Sequence, residues 1–87
     1  MTITEAAVRT RRVFLLLQID PGRALEARDF LLGTDGISEL AATTGPFDVI
    51  VVADIADTVE VERLVAQCRR APGLTRLSRC QAAAAER

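Results

Sequence analysis

Histidine, tryptophan, tyrosine and lysine are all missing from the 87 residues, and the 11 cations are arginine without exception. Without imidazole there is no His-dependent catalytic triad and no His-liganded metal site. Cysteine is scarce too, with only Cys68 and Cys80, which lack CxxC spacing and cannot complete a tetrahedral zinc site inside one chain. Both read as reduced thiols, and no metal or other cofactor is expected. No sign of charge dominates: 11 basic against 12 acidic residues, interspersed, leave a net charge of −1. Such a chain has no long-range field for collecting phosphates, so neither nucleic acid nor an anionic membrane is an expected direct partner. Long apolar runs are missing as well; the longest, residues 13–17, is far too short to span a bilayer. The first dozen residues lack a small-residue cleavage site behind an apolar core, so the expected location is cytoplasmic.

What is present is a chain 49% hydrophobic with three Pro and five Gly, the composition of one small globular domain. By size scaling it buries only about 60–65% of its unfolded surface, so oligomerisation would add to a marginal core.

The apolar stretch 12–19 ends at Asp20-Pro21-Gly22 and predicts a strand; 23–32 is rich in helix formers and predicts a helix. On a helical wheel Ala24, Leu25, Ala27, Phe30, Leu31 and Leu32 form one broad apolar arc. Arg28 intrudes on it, with its head expected to reach water. After the stop at Gly33-Thr34-Asp35-Gly36, residues 37–43 alternate as a weak second strand. Thr44-Gly45-Pro46 is turn chemistry, and the β-branched run 47–55 predicts the antiparallel partner of a hairpin. Asp57 with Glu60 three positions on predicts a capped start for a second helix, whose Val61, Leu64, Val65, Cys68 and Ala71 share a narrow arc. Ala71-Pro72-Gly73 ends it, and 74–80 predicts the last strand.

A gapless shift of 37 residues places Asp20 on Asp57, Ala27 on Leu64, Leu31 on Cys68 and Gly36 on Gly73. Residues 36–41 then match 73–78 in character throughout, apart from Glu39 against Arg76. A repeated strand-helix-strand unit gives βαββαβ, a ferredoxin-like α+β fold with both helices on one face of a four-stranded antiparallel sheet. The domain is expected over 12–80, between an N-terminal arm, 1–11, and an Ala-rich tail, 81–87.

The face away from the helices should then be polar in a monomer. Instead, Phe14 and Leu16 on the first strand and Ile50 and Val52 on the third make both faces of the central strands largely apolar. An exposed patch of this kind invites association, and a symmetric dimer stacking two sheets face to face covers it economically. The alternative cover is one of the chain's own short termini.

The order of elements, with Thr44-Gly45-Pro46-Phe47-Asp48 at the hairpin and Ala71-Pro72-Gly73 before the last strand, resembles the RAM domain. This is the effector-binding domain of the Lrp/AsnC (leucine-responsive, feast/famine) transcriptional regulators. The likeness covers about residues 12–80. Full-length members carry an N-terminal helix-turn-helix, whereas about a dozen residues precede the first strand here, so the chain is similar to the stand-alone RAM proteins. The resemblance implies a homodimer, a higher ring of dimers, a free amino acid or related small metabolite as ligand near the hairpin, and full-length Lrp/AsnC-type regulators as further partners.

A zwitterion needs an acceptor for its ammonium and donors for its carboxylate. Gly45 lets backbone amides approach an anion, Asp48 can accept the ammonium, and Phe47 can wall a side-chain pocket. From the residues alone the loop is only a turn and Asp48 only a polar strand start. The resemblance shifts the reading to a ligand site of Thr44, Gly45, Pro46, Phe47 and Asp48. Asp54 is a second candidate; Arg76 and Arg79 could hold a carboxylate but suit an edge strand that must resist pairing. Cys68 reads as a core residue, and no catalytic residue stands out. The expectation is therefore a non-enzymatic binding module that couples ligand occupancy to assembly or partner choice. The alternatives are a cofactor-independent enzyme of the dimeric α+β-barrel type, an ACT-like amino-acid sensor, and a ligand-free assembly unit.

Overall fold

The computed structural model describes residues 10–81. Strand β1 (Arg11–Ile19) runs through the middle of a four-stranded sheet and is followed by a 3-10 turn (Pro21–Arg23) and helix α1 (Ala24–Leu32). Edge strand β2 (Glu39–Ala42) and central strand β3 (Val49–Ile55) form the hairpin; helix α2 (Thr58–Cys68) leads to the other edge strand, β4 (Leu74–Gln81). The order across the sheet is β2-β3-β1-β4, with every pair antiparallel. This is the ferredoxin-like βαββαβ arrangement expected from the internal repeat. Nothing is described for most of the expected arm and tail, or for a terminus covering the sheet, since residues 1–9 and 82–87 lie outside the described range. Among the described residues no helix is long and apolar enough to cross a membrane.

The core lies between the sheet and the helices. Val13, Leu15, Leu17 and Ile19 alternate inward from β1 and meet Val51, Ala53 and Ile55 of β3. From α2, Val61, Leu64, Val65 and Cys68 are buried together, with Ala71 in the turn beyond, so the narrow arc read from the sequence is the one that packs. The helix ends at Cys68, earlier than the Ala71-Pro72-Gly73 stop suggested. Asp57 caps its start by accepting the Glu60 amide hydrogen at 2.9 Å.

Helix α1 departs from expectation. Only Ala27 and Leu31 are buried, whereas Leu25 is 73% and Leu32 63% exposed. The outer part of the broad apolar arc is not packed against the sheet: Leu25 and Leu32 border an open cleft whose other side is Leu40 and Ala42 of β2, a strand of four residues rather than the seven of 37–43.

The repeat is visible in the backbone. Gly36, three residues ahead of β2, and Gly73, directly before β4, both sit at positive φ, +94° and +79°. The shift of 37 also superposes the sheet faces of the edge strands: Leu40 faces the helices, paired with Val51, and Leu77 does so opposite Leu17.

On the open face the register sets Phe14 opposite Val52 and Leu16 opposite Ile50, an apolar block at the centre of the sheet. Val52 is already shielded by its neighbours, while Phe14, Leu16 and Ile50 remain partly in water. A bidentate Arg12–Asp54 pair, 3.0 and 3.3 Å, closes one end of this block.

Candidate functional site

Residues 43–48 are tied at both ends. The Thr43 amide donates to the Asp48 carbonyl and the Thr43 hydroxyl to the Phe47 carbonyl, both at 2.8 Å, which closes the loop without a regular two-residue turn. The Asp48 amide then donates to the Leu17 carbonyl at 2.8 Å, continuing the central pairing past the end of β3. Its carboxylate turns to β1: Oδ2 accepts the Ile19 amide hydrogen at 2.7 Å. One carboxylate oxygen therefore fixes the loop to the sheet, and Oδ1 has no hydrogen-bond partner among the described residues.

Two more side chains, both outside the loop, hold it in place. Gln18 donates from Nε2 to the Pro46 carbonyl at 2.8 Å, and the Thr75 hydroxyl donates to the Gln18 carbonyl at 3.1 Å. The β1–β4 register slips at Gln18/Ile19, so that Gln18 pairs with Arg76 and Ile19 with Leu74, leaving Thr75 as the extra residue of a bulge. Bulges of this kind re-aim side chains at the edge of a sheet. The result is a cleft of about 410 Å³ whose wall includes Gly45, Pro46 and Asp48 from the loop, facing Gln18, Asp20 and Thr75. Beside Gly45 the backbone is open, with no heavy atom within 4 Å of where a Cβ would stand.

Three of the five residues singled out in the sequence, Gly45, Pro46 and Asp48, thus share one wall. Thr44 is exposed and Phe47 half-buried, and neither lines this cleft. The Phe47 ring lies under Arg76 instead, with the guanidinium carbon 5.8 Å from the ring centroid. Asp54, on the same face as Asp48, is at the far end of β3 and is held by Arg12, with Ser38 Oγ donating at 3.4 Å. The hydrogen bond from Arg12 keeps the Asp54 carboxyl below its ordinary range. Arg79 is paired with Glu62 of α2 at 2.9 Å. Cys68 is enclosed by the core, and burial pushes its thiol up to about 11, far from the reactive thiolate range. No group of three metal-ligating side chains converges among the described residues.

The sequence did not mark Gln18 and Thr75 for this site, and it offered Arg76 as a carboxylate holder rather than as the cover of Phe47. Each is remote along the chain from the loop, and only the strand register brings them to it.

The Lrp/AsnC ligand binding domain model matches residues 12–80. Among solved structures the chain is similar to TTHA0845 from Thermus thermophilus, with a TM-score of 0.80 and 20% identity over 88% of this chain and 98% of that one. It is similar also to FFRP-DM1, at 0.74 and 20% identity over 84% and 99% of the two chains. An AsnC family transcriptional regulator from Agrobacterium tumefaciens aligns at 0.73 with 10% identity, over 87% of this chain and 52% of that one. At such identities the likeness is one of fold. None of the curated proteins matches the sequence.

Proposed function

Because the chain belongs to the Lrp/AsnC ligand binding domain family, we propose that it is a regulatory effector-binding module that takes a free amino acid or related small metabolite at the hairpin cleft. Asp48 accepts the ammonium group through its free Oδ1. The backbone beside Gly45 is open to approach, and Gln18 keeps the loop in place. The observation that carries the reading is the divided role of Asp48, a residue of the cleft wall, with one oxygen anchoring the loop and the other unpaired among the described residues. The apolar block of Phe14, Leu16, Ile50 and Val52 is covered by a second copy of the chain, sheet against sheet. Full burial of such side chains is worth about 1.5–3 kcal/mol each, of which the isolated chain realises only a part. Occupancy of the cleft then shifts the assembly, or the choice of a full-length regulator as partner, by as much as the ligand's affinity differs between the two states. The coarse reading, regulatory ligand binding rather than catalysis, rests on the family.

Native mass spectrometry with and without a pool of the common amino acids tests this reading. The expected result is an even-numbered assembly that gains mass or changes size with one component. Asp48→Ala abolishes that response with the dimer intact, and Leu16→Glu yields monomers. A monomeric wild type, or an assembly indifferent to the whole pool, overturns the reading.

A further inference from the structure

Where residues 36–41 match 73–78, the one departure in character is Glu39 against Arg76. Both are exposed and on edge strands. Each precedes a leucine that faces the helices, Leu40 on β2 and Leu77 on β4, so alternation turns both charges to the open face. Their surroundings agree. Glu39 adds to the field that favours the charged form of Arg12, and Arg76 lies over the Phe47 ring.

The strand register sets the two at opposite corners of that face. Glu39 pairs with Val52, which is opposite Phe14, whereas Arg76 pairs with Gln18 at the other end of β1, with Leu16 midway. They are separated by about 14 Å across the strands and about 13 Å along them, and Leu16 and Ile50 stand at the centre of the diagonal. Neither charge has an ion-pair partner among the described residues. The other charges of the face are engaged: Arg12 and Asp54 neutralise each other beside Glu39, and Asp48, two strands away from Arg76, is turned onto the Ile19 amide. An apolar centre thus lies between one surplus negative corner and one surplus positive corner.

We infer that the partner fitting this face is a second copy turned about a two-fold axis perpendicular to the Glu39–Arg76 diagonal, so that Glu39 of each copy meets Arg76 of the other. This pairing rests on the reading that a second copy covers the open face, and adds the register that copy takes and the side chains that select it. A two-fold axis between stacked sheets makes every contact twice. Along the diagonal it would set Glu39 on Glu39 and Arg76 on Arg76; perpendicular to it, unlike charges meet at both corners. Stacked sheets are about 10 Å apart, within the joint reach of the two side chains. The strands of the two copies then cross steeply, as in the orthogonal class of sheet packing. Exposed pairs at a rim add little to affinity, but like charges in their place are costly, so the pattern chooses the partner and its register. A repeat that kept one sign at both corners would repel its own copy in this register.

Glu39→Arg, Arg76→Glu and the double exchange of both test the pairing, all at exposed positions of edge strands. Sedimentation should show the dimer weakened at least about tenfold in either single variant, where both contacts become like-charged, and restored in the double exchange. Mixed one to one, the single variants should form the heterodimer in excess of the statistical half, read by native mass spectrometry, because each copy supplies the charge the other lacks. A merely structural role gives no such recovery: loss of the Arg76 contact with Phe47, or repulsion between a new arginine and Arg12, persists in the mixture. If the wild type dimerises and the single variants do so equally, or if the mixture stays statistical or monomeric, the pairing falls while the sheet-against-sheet dimer stands. If the wild type is a monomer, both fall.

Discussion

The β1-α1-β2 half and the β3-α2-β4 half share a backbone plan but not a degree of packing. Helix α2 has a side-chain cap, four buried residues and an eight-residue edge strand after it; α1 has no capping side chain, two buried residues and an edge strand of four. Matched positions show where the difference arises: Leu64 against Ala27, Cys68 against Leu31, Val65 against Arg28. The second half carries more of the core, while the first retains exposed apolar surface and, at the position matched to the buried Val65, the exposed Arg28. The hairpin loop and both of the clefts that contain Asp48 are on the side of the loosely packed half, so the proposed ligand would meet the less stable part of the fold.

The largest contrast is in the helices themselves. Leu64→Ala removes a side chain only 5% exposed and is expected to cost about 2–5 kcal/mol, whereas Leu25→Ala on α1 stays within about 0.5 kcal/mol. Urea denaturation measures both, and equal losses would dissolve the distinction between the halves. A smaller contrast separates the equivalent glycines. Alanine at Gly36 carries the strain of its positive φ, about 1–2 kcal/mol, with only Leu64 Cδ1 at 3.9 Å near the new methyl. At Gly73 the methyl would also stand 2.7 Å from Arg23 Cβ, which cannot swing away, and a further ~1 kcal/mol or more is expected. The matched aspartates differ less. Asp57→Ala deletes the cap of α2 and costs about 1 kcal/mol; Asp20→Ala, whose carboxylate accepts the Gly22 amide hydrogen of the 3-10 turn, costs less, and thermal unfolding ranks the two.

The smallest effect concerns the pair that ties the halves together, Arg12 on β1 to Asp54 on β3. A carboxyl whose folded value is depressed contributes stability that is present above its ordinary value of 3.8 and is lost as the pH falls through the folded value. Carboxyl-detected NMR should place the Asp54 midpoint below 3.8 and show it rising in Arg12→Gln. An Asp54 midpoint indifferent to Arg12 would mean that the open face is not pinned at that end.

Much of this was legible in the residues, and the particular failures are informative. The narrow arc of α2 was readable because its apolar positions are separated by charged ones, so only one face can be buried. The arc of α1 was read too broadly, because apolar character on a wheel does not say whether a packing partner lies against it; Leu25 and Leu32 border an open cleft instead. Gly45, Pro46 and Asp48, which share one cleft wall, were singled out through turn chemistry and a family likeness. Phe47 was expected to wall a side-chain pocket; its ring lies under Arg76 and outside the cleft lined by Gly45, Pro46 and Asp48, a placement that residues remote along the chain decide.

Alternation and punctuation along the chain determine the element types and the apolar character of both faces of the central strands, because these are properties of neighbours a few residues apart, and the repeat is legible by laying one half of the sequence on the other. The anchoring of Asp48 to Ile19, the bulge that sets Thr75 and Gln18 behind the loop, and the placing of Glu39 and Arg76 at opposite corners of one face were decided only by the tertiary structure. They relate residues remote along the chain, and strand register, set by packing of the whole core, is what brings such residues into one arrangement.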